Sequence, residues 1–288
     1  PTVLSGAIQE ARQQGDDLVL ASDPDADRLG AAAAGSSRPG AAWQTFTGNQ
    51  LGALLADWVL TSRTARGVLS PTDTVVTTLV TSGLIRRIGS AAGVRVIDGL
   101  QVGFKWIGRT IDEIGPEHFV FGCEESHGYL AGTHVRDKDA SVAALLLAEL
   151  AASLKASGRT LHEKLDELFC THGCHLERQV AIKLPGAAGM DRMREIMTTL
   201  RARPPAALGG LAVGRTRDYG QLLVTTPGGE PTAFQGEQGD LVIFDLLDPG
   251  LAAGPAPADG FPPLANAVAA RPSGTEPKIK FYLFTAAA

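Results

Sequence analysis

From residue 75 to residue 155 the chain alternates short β-branched or aromatic runs with helix-like segments, and that alternation limits the architectures open to it. Val75-Val76-Thr77-Thr78-Leu79-Val80, Val94-Arg95-Val96-Ile97 and Phe119-Val120-Phe121-Gly122 have strand composition. A helix starting at Ser82, one around Trp106 to Ile114 and a long one from about Ala140 to Lys155 accompany them. Strands interleaved with helices predict a parallel sheet covered by helices. In such sheets ligands bind beyond the carboxyl ends of the strands. The turns that fall there are Thr81-Ser82-Gly83, Gly103-Phe104-Lys105-Trp106 and Cys123-Glu124-Glu125-Ser126-His127-Gly128, so these are expected to share one rim.

A second stretch carries the strongest chemical signal. Behind the apolar run Leu18-Val19-Leu20-Ala21 comes Ser22-Asp23-Pro24-Asp25-Ala26-Asp27-Arg28, with three carboxylates at alternate positions on the end of a strand. Carboxylate oxygens are hard ligands that suit Mg²⁺, which commonly keeps coordination positions for water and a substrate phosphate. An EF-hand also begins with alternating acids, but it requires Gly at its sixth position and Glu at its twelfth, where this chain has Arg28 and Ala34. A solvated acidic turn is the plain alternative. Pro24 stiffens the loop, and the Arg28 guanidinium suits either a phosphate or the orientation of one carboxylate.

Three segments follow from these signals. Residues 1–44 contain a helix from Thr2 to Gln14 stopped by Gly15, the strand that delivers the acidic loop, and an Ala- and Gly-rich run to Pro39-Gly40. They are expected to be the remnant of an α/β metal-binding domain whose earlier part is missing, because the chain opens at Pro1 directly into a helix-like segment. Residues 45–168 form a complete α/β domain, opened by the capping-box pattern Thr47-Gly48-Asn49-Gln50. A second capping box, Thr160 to Glu163, starts a connecting helix. Residues 169–288 change texture: short alternating runs such as Val180 to Leu184 and Leu241 to Phe244 surround a helix near Met190 to Arg201, which predicts an α+β domain. Pro249 to Pro263 is expected to be a loop, and Asn266 to Arg271 and Lys278 to Phe284 two strands.

The formal net charge of -5 argues against a general nucleic-acid surface. Three cysteines make no disulfide framework, and no signal segment or long apolar span is visible, so a reducing cytoplasm without membrane attachment is the expectation. Cys170-Thr171-His172-Gly173-Cys174-His175 has the wrong spacing for a zinc knuckle or for haem attachment and reads as a loop after a helix. Cys123 reads as a small buried residue. Arg271-Pro272-Ser273-Gly274-Thr275 offers a guanidinium, two hydroxyls and backbone donors near a glycine, a set suited to a phosphate monoester. Glu124, Glu125 and Ser126 can exchange hydrogen bonds with sugar hydroxyls. A Ser126-His127 nucleophile is disfavoured, because adjacency in sequence is no evidence for a general-base hydrogen bond.

DPDADR, GCEESHG and RPSGTEPKIKFY, in that order, resemble the metal-binding, sugar-binding and phosphate-binding loops of the α-D-phosphohexomutases, the phosphoglucomutase and phosphomannomutase family. The resemblance implies Mg²⁺ on Asp23, Asp25 and Asp27, recognition of adjacent sugar hydroxyls by Glu124 and Ser126, and phosphate binding by Arg271, Ser273, Gly274 and Thr275. It also places Arg28, Lys105 and Lys138 along the substrate site. The implied partner is a hexose phosphate, with glucose first and mannose second, isomerised between its 1-phosphate and 6-phosphate through a phosphoserine and a bisphosphorylated sugar. Family members carry that serine in a Ser-His-Asn-Pro type loop, which this sequence lacks. A phosphoserine-bearing N-terminal part of the same chain is therefore an implied partner. A non-catalytic sugar-phosphate binder is the competing reading. A haloacid-dehalogenase-type phosphatase fits less well, since Asp27 stands where that motif has Thr or Val.

Overall fold

The computed structural model describes residues 2–247, 265–274 and 276–287, which divide into two compact units, one ending at Gly173 and the other beginning at Cys174. The expected loop from Pro249 to Pro263 and the residue Thr275 lie outside the described residues.

The first unit opens with a single 3₁₀ turn and helix α1 (Ser5–Gln14), ended by Gly15 at φ 77°, a left-handed cap that glycine accepts without strain. A three-stranded antiparallel sheet follows in the order β1 (Leu18–Ser22), β2 (Leu29–Ala34), β3 (Trp43–Thr45). The acidic loop is thus the connection of a β-hairpin, with Ser22 facing Leu29 at its base. The Ala-rich run after the loop forms a strand, although its sequence reads only as an approach to a boundary. Ala31, Ala32 and Ala33 are buried between β1 and β3, and pairing on both sides supplies what alanine's weak β-propensity does not.

Helix α2 (Gly48–Ala65) begins at the expected capping box: Thr47 Oγ1 accepts from the Gln50 N–H, and Gln50 Oε1 accepts from the Thr47 N–H. The alternating region folds as β4 (Thr74–Thr78), α3 (Gly83–Ala91), β5 (Arg95–Leu100), α4 (Phe104–Ile114), β6 (Phe119–Glu124), β7 (Gly128–Leu130) and α5 (Ala140–Ala156). The sheet order is β5-β4-β6-β7. The first three strands are parallel, as expected, but β7 returns antiparallel to β6, so the sheet is mixed. Central β4 is buried at every position. Helices α2, α5 and α6 (Leu161–His172) enclose one core with Phe121, Leu54, Leu55 and Leu147, while Phe104, Ile107 and Ile111 of α4 pack on Val76 and Phe119 in another. Among the described residues no single helix is long and apolar enough to cross a membrane. The bent pair α5 and α6 has the composition, and its apolar residues line the core of this unit.

The second unit is an antiparallel sheet with one helix. Its strands are β8 (Cys174–Lys183), β9 (Ala207–Leu208), β10 (Leu211–Asp218), β11 (Leu223–Thr225), β12 (Thr232–Ala233), β13 (Val242–Leu247), β14 (Ala267–Pro272) and β15 (Lys278–Ala287). They run in the order β12-β11-β10-β13-β14-β15-β8, with β9 beside β10. Helix α7 (Gly189–Ala202) covers one face through Met193 and Met197, against Val242, Phe244, Ala270 and Ile279. The cysteine-histidine run is not a loop. Cys170 lies in the last turn of α6, and Cys174 and His175 already belong to β8.

Candidate active site

The acidic loop is shaped by its own backbone. Asp23 Oδ1 accepts from the N–H groups of Asp27 (3.2 Å) and Arg28 (3.3 Å), and Ala26 donates to Asp23 O at 3.0 Å. Ala26 sits at φ 57°, a left-handed conformation that a non-glycine residue adopts at some cost and that closes the turn. Desolvation works to raise the Asp23 pKa, and it is outweighed by the two N–H donors and the charge of Arg28, leaving the carboxyl below its ordinary range.

This loop is fastened to its neighbours from several directions. Leu29 N–H donates to His127 O at 3.0 Å, His127 Nδ1 meets Leu29 O at 3.1 Å, and Arg28 forms an isolated bridge with Gly128. Ala26 O accepts the N–H of Ala140, the first residue of α5, at 3.2 Å. Lys138 places its ammonium 3.2 Å from Asp27 Oδ2 and 2.9 Å from Asp137 Oδ1. The Lys138 stem lies across Gly128, where an added Cβ would come within 2.3 Å of its Cδ, and its ammonium is 5.5 Å from the centre of the Phe104 ring. Burial works to lower the Lys138 pKa; the hydrogen bonds and charges of Asp137 and Asp27 overcome it, so the ammonium is held more firmly protonated.

At the end of β6 the Glu124 carboxylate is buried and accepts the Gly103 N–H at 2.7 Å, which ties it to the start of α4. Burial raises its pKa, only partly offset by that N–H and by the charges of Lys138 and Arg28. Ser126 is half-buried in the turn that follows, and Lys105 is exposed, with its ammonium 5.1 Å from the Trp106 ring centre. His127 is the second non-glycine residue here with positive φ, at 68°. Beneath this turn, α2 approaches so closely that a Cβ on Gly48 would lie 2.0 Å from Glu125 O. The Tyr129 hydroxyl donates to Gly48 O at 3.1 Å, and Asn49 Oδ1 accepts the Ser82 N–H at 3.0 Å.

The first unit therefore brings Asp23, Asp27, Arg28 and Lys138 into one connected network, with Glu124 near enough to feel the charges of Lys138 and Arg28, Asp25 exposed on the same loop and Ser126 on the adjoining turn. Sequence reasoning did not identify Gly48 or Asn49 as supports. Gly48 and Asn49 sat within the capping-box motif, whose local explanation concealed their long-range contacts.

The donor set fits a hard divalent cation. Three carboxylates lie on one short loop, and Asp27 Oδ1 is shut off from solvent without accepting a hydrogen bond, with Arg28 Nε at 3.8 Å. Among the described residues no three His, Cys, Asp or Glu side chains are already gathered as a closed cage. Mg²⁺ does not need one, since one or two carboxylates commonly suffice alongside water and phosphate.

In the second unit, β14 and β15 form the hairpin that carries the Arg271 loop. Ser273 N–H donates to Lys278 O at 2.9 Å, Ser273 Oγ accepts from Glu276 N–H at 3.3 Å, and Lys278 pairs with Glu276 at 2.7 Å. Arg271 is half-buried and faces Lys280 across the ladder, while Lys278 faces Lys183. These cations share one side of the sheet. Lys278, first by hydrogen bond and then by charge, with further contributions from Lys183 and Lys280, holds Glu276 below the usual carboxylate range. Gly274 projects into open space.

Residues 47–171 match the family model described as phosphoglucomutase/phosphomannomutase, alpha/beta/alpha domain III. The chain is 33% identical over 281 residues to a phosphoglucomutase of Staphylococcus aureus (strain N315), an alignment covering 96% of this chain and 46% of the relative. It spans about half the length of the curated relatives it matches. Its fold is similar to a putative phosphomannomutase from Thermus thermophilus, with TM-score 0.57 and 20% identity over all of this chain and 46% of the other. It is also similar to a phosphoglucomutase/phosphomannomutase family protein from Burkholderia thailandensis, with TM-score 0.59 and 15% identity at the same coverages.

Proposed function

We propose that this chain is a member of the phosphoglucomutase/phosphomannomutase family and supplies the metal-loop, sugar-binding and phosphate-binding parts of a cytoplasmic phosphohexomutase. The reaction is the interconversion of hexose 1-phosphate and hexose 6-phosphate, with glucose as the first choice because the named relatives are phosphoglucomutases. The observation that carries the proposal is the network of the acidic loop, Glu124 and Lys138 at the strand ends of the first unit. In the proposed assignment, residues 1–44 carry the metal loop, residues 45–168 bind sugar and residues 169–288 bind phosphate.

In this mechanism the phosphoryl group of a phosphoserine passes to the free hydroxyl of a hexose monophosphate, giving a bisphosphate. The bisphosphate reorients and returns its other phosphoryl group to the serine. Glu124 and Ser126 hold adjacent sugar hydroxyls in both orientations. Arg28, Lys105 and Lys138 lend positive charge near the reacting end. Arg271, Ser273, Gly274 and Thr275 hold the phosphate that is not being transferred, through the guanidinium fork, hydroxyls and backbone donors. Asp23, Asp25 and Asp27 would hold Mg²⁺, which when bound supplies charge neutralisation for phosphoryl transfer. The phosphoserine would come from sequence outside this chain, since no Ser-His-Asn-Pro loop is present in it.

Titration calorimetry of glucose 1-phosphate and of glucose 6-phosphate into the chain, with Mg²⁺ present, tests the shared-loop assignment. Both should bind, and Glu124→Ala and Ser126→Ala should weaken both. Binding of neither, or an effect on one alone, would sink the reading. In a chain that also carries the serine loop, Asp25→Asn should lower turnover by about a hundredfold or more, as loss of one charge-stabilising contact commonly does. Unchanged turnover there would remove the metal assignment.

A further inference from the structure

The second unit ends its sheet on β8, a ten-residue strand paired with β15 along one side. The pairing runs without a bulge from Lys183 opposite Lys278 to Cys174 opposite Ala287, and the strand contains no proline. Among the described residues no strand pairs with its other side. Long straight edges of this kind are templates for another strand, and proteins usually interrupt them.

The direction of each backbone group follows from the ladder. Leu184 N–H donates inward to Pro277 O, and the alternation of antiparallel pairing then turns the even-numbered residues of β8 toward β15. Glu177, Gln179, Ala181 and Lys183 direct their N–H and C=O groups outward. The even-numbered side chains share the face covered farther along by α7, because Ile182 opposes Ile279 and Val180 opposes Phe281. There Leu176 is 54% exposed, Val180 39% and Ile182 47%, with Leu283 of β15 beside them at 39%. Among the described residues the edge therefore combines a side of the ladder that no strand pairs with and an exposed apolar row.

We propose that β8 pairs with β8 of a second copy of this chain, antiparallel about a two-fold axis through Val180. Two-fold antiparallel pairing must oppose residues whose numbers have a constant sum, and only outward-facing residues can exchange backbone hydrogen bonds. The register centred on Val180 sets Gln179 against Ala181 and Glu177 against Lys183, so the end pairs unite opposite charges directly across the ladder, a favourable cross-strand arrangement. On the apolar face Val180 meets its own copy, Ile182 lies along the Arg178 stem, and Leu176 approaches Leu184. Shifting the centre to Gln179 would oppose His175 and Lys183, and shifting it to Ala181 would leave Glu177 beyond the paired residues. Charge complementarity thus selects both the occupant and the register. The contact is isologous, so it closes at a dimer. This inference does not depend on the proposed phosphohexomutase chemistry.

Sedimentation equilibrium of the complete chain, from about 1 μM to about 500 μM, should show a monomer–dimer equilibrium in the range typical of weak specific contacts. Hydrogen exchange at the N–H groups of Gln179 and Ala181 should slow as concentration rises. Val180→Lys places two ammonium groups on the axis at a position already part-exposed, and should leave only monomer. Glu177→Lys and Lys183→Glu should each weaken the dimer by about tenfold, as like charges opposed across a ladder do, and the double exchange should restore it. A monomer throughout the concentration range would overturn the proposal. So would a dimer indifferent to Val180→Lys, a double exchange no better than either single change, or slow exchange at Gln179 and Ala181 that is independent of concentration.

Discussion

The acidic loop and the Arg271 loop both join antiparallel strands, but they are supported in opposite ways. The first is held by residues distant in sequence: His127 and Gly128 on one side, Ala140 at the start of α5, and Lys138 over Asp27. The second is braced within its own hairpin, Ser273 with Lys278 and Glu276 with Ser273, and Gly274 projects into open space. Preorganisation by surrounding elements suits groups that must hold charge in a fixed geometry. A loop supported by its own turn can meet a ligand and adjust to it. The difference predicts that equivalent substitutions will act on folding in the first unit and chiefly on binding in the second.

The strongest test opposes two glycines. A Cβ at Gly48 would lie 2.0 Å from Glu125 O and 2.8 Å from His127 N, both backbone atoms that cannot swing aside. Gly48→Ala should destabilise the first unit by about 1–3 kcal/mol or more, the usual cost of overpacking. Gly274→Ala meets nothing within 4 Å and should leave stability unchanged. Urea unfolding followed by tryptophan fluorescence reads the Gly48→Ala arm, because all three tryptophans, Trp43, Trp58 and Trp106, belong to the first unit, and far-ultraviolet circular dichroism, which follows the strands of the second unit as well, reads the Gly274→Ala arm. Equal stabilities for Gly48→Ala and wild type would mean that α2 does not press on the turn.

Two lysines give the next contrast. The Lys138 side chain is 12% exposed and serves both Asp27 and Asp137, whereas Lys278 pairs with the largely exposed Glu276. Lys138→Met should cost about 1–3 kcal/mol, because Asp27 loses a charge-assisted partner in a sheltered place. Lys278→Met should cost about 0–1 kcal/mol, the range of solvent-screened pairs. Chemical denaturation of both variants would erase the distinction if the two losses were equal.

Why the sequence exposed some of this and concealed the rest is visible in particular residues. Both capping boxes, Thr47 with Gln50 and Thr160 with Glu163, were legible because their chemistry is complete within four residues, and both form as expected. The strand-end turns were legible from the β and α alternation. Strand β7 was not, because Gly128, Tyr129 and Leu130 make too short a run to carry a period; the strand exists through pairing with β6 and the approach of Arg28. The hairpin partner β2 was hidden by its alanines. Lys138 and Glu124 were recognisable as site candidates, but their links to Asp27 and Gly103 join positions 111 and 21 residues apart and exist only in the fold.

A smaller, pH-dependent difference should follow from two histidines of the first unit. Burial pushes His127 and His162 below the ordinary imidazole range, opposed in part by the carbonyl oxygens of Leu29 and Gln44. A base whose folded pKa is depressed binds protons more readily when unfolded. Its contribution to stability is complete above the unfolded pKa of about 6.5 and is lost as pH falls through the lower folded value. Tryptophan-detected stability should therefore decline on acidification below about pH 6.5, before carboxylates titrate. His162 stacks on Phe46 with ring centres 4.0 Å apart, so His162→Phe can keep the ring contact while removing the titration. That variant should show a shallower decline, and an unchanged slope would remove His162 from the acid response.

The smallest expected effect on folding, and one confined to ligand binding, belongs to Arg271→Lys. Arg271 is half-buried on the rim of β14, facing Lys280, and its replacement keeps the positive charge that the neighbouring Lys183, Lys278 and Lys280 already share. What changes is geometry: guanidinium presents a planar fork able to grip two phosphate oxygens together, whereas ammonium is a single point of charge. Thermal unfolding without ligand should therefore match wild type, while binding of glucose 6-phosphate by calorimetry should weaken by about tenfold, the scale of one charge-assisted hydrogen bond. Lys278→Met supplies the control, since it removes charge without removing a fork. If Arg271→Lys binds as wild type does while Lys278→Met binds weakly, the second unit attracts phosphate through its summed charge, and the Arg271 fork has no special place in it.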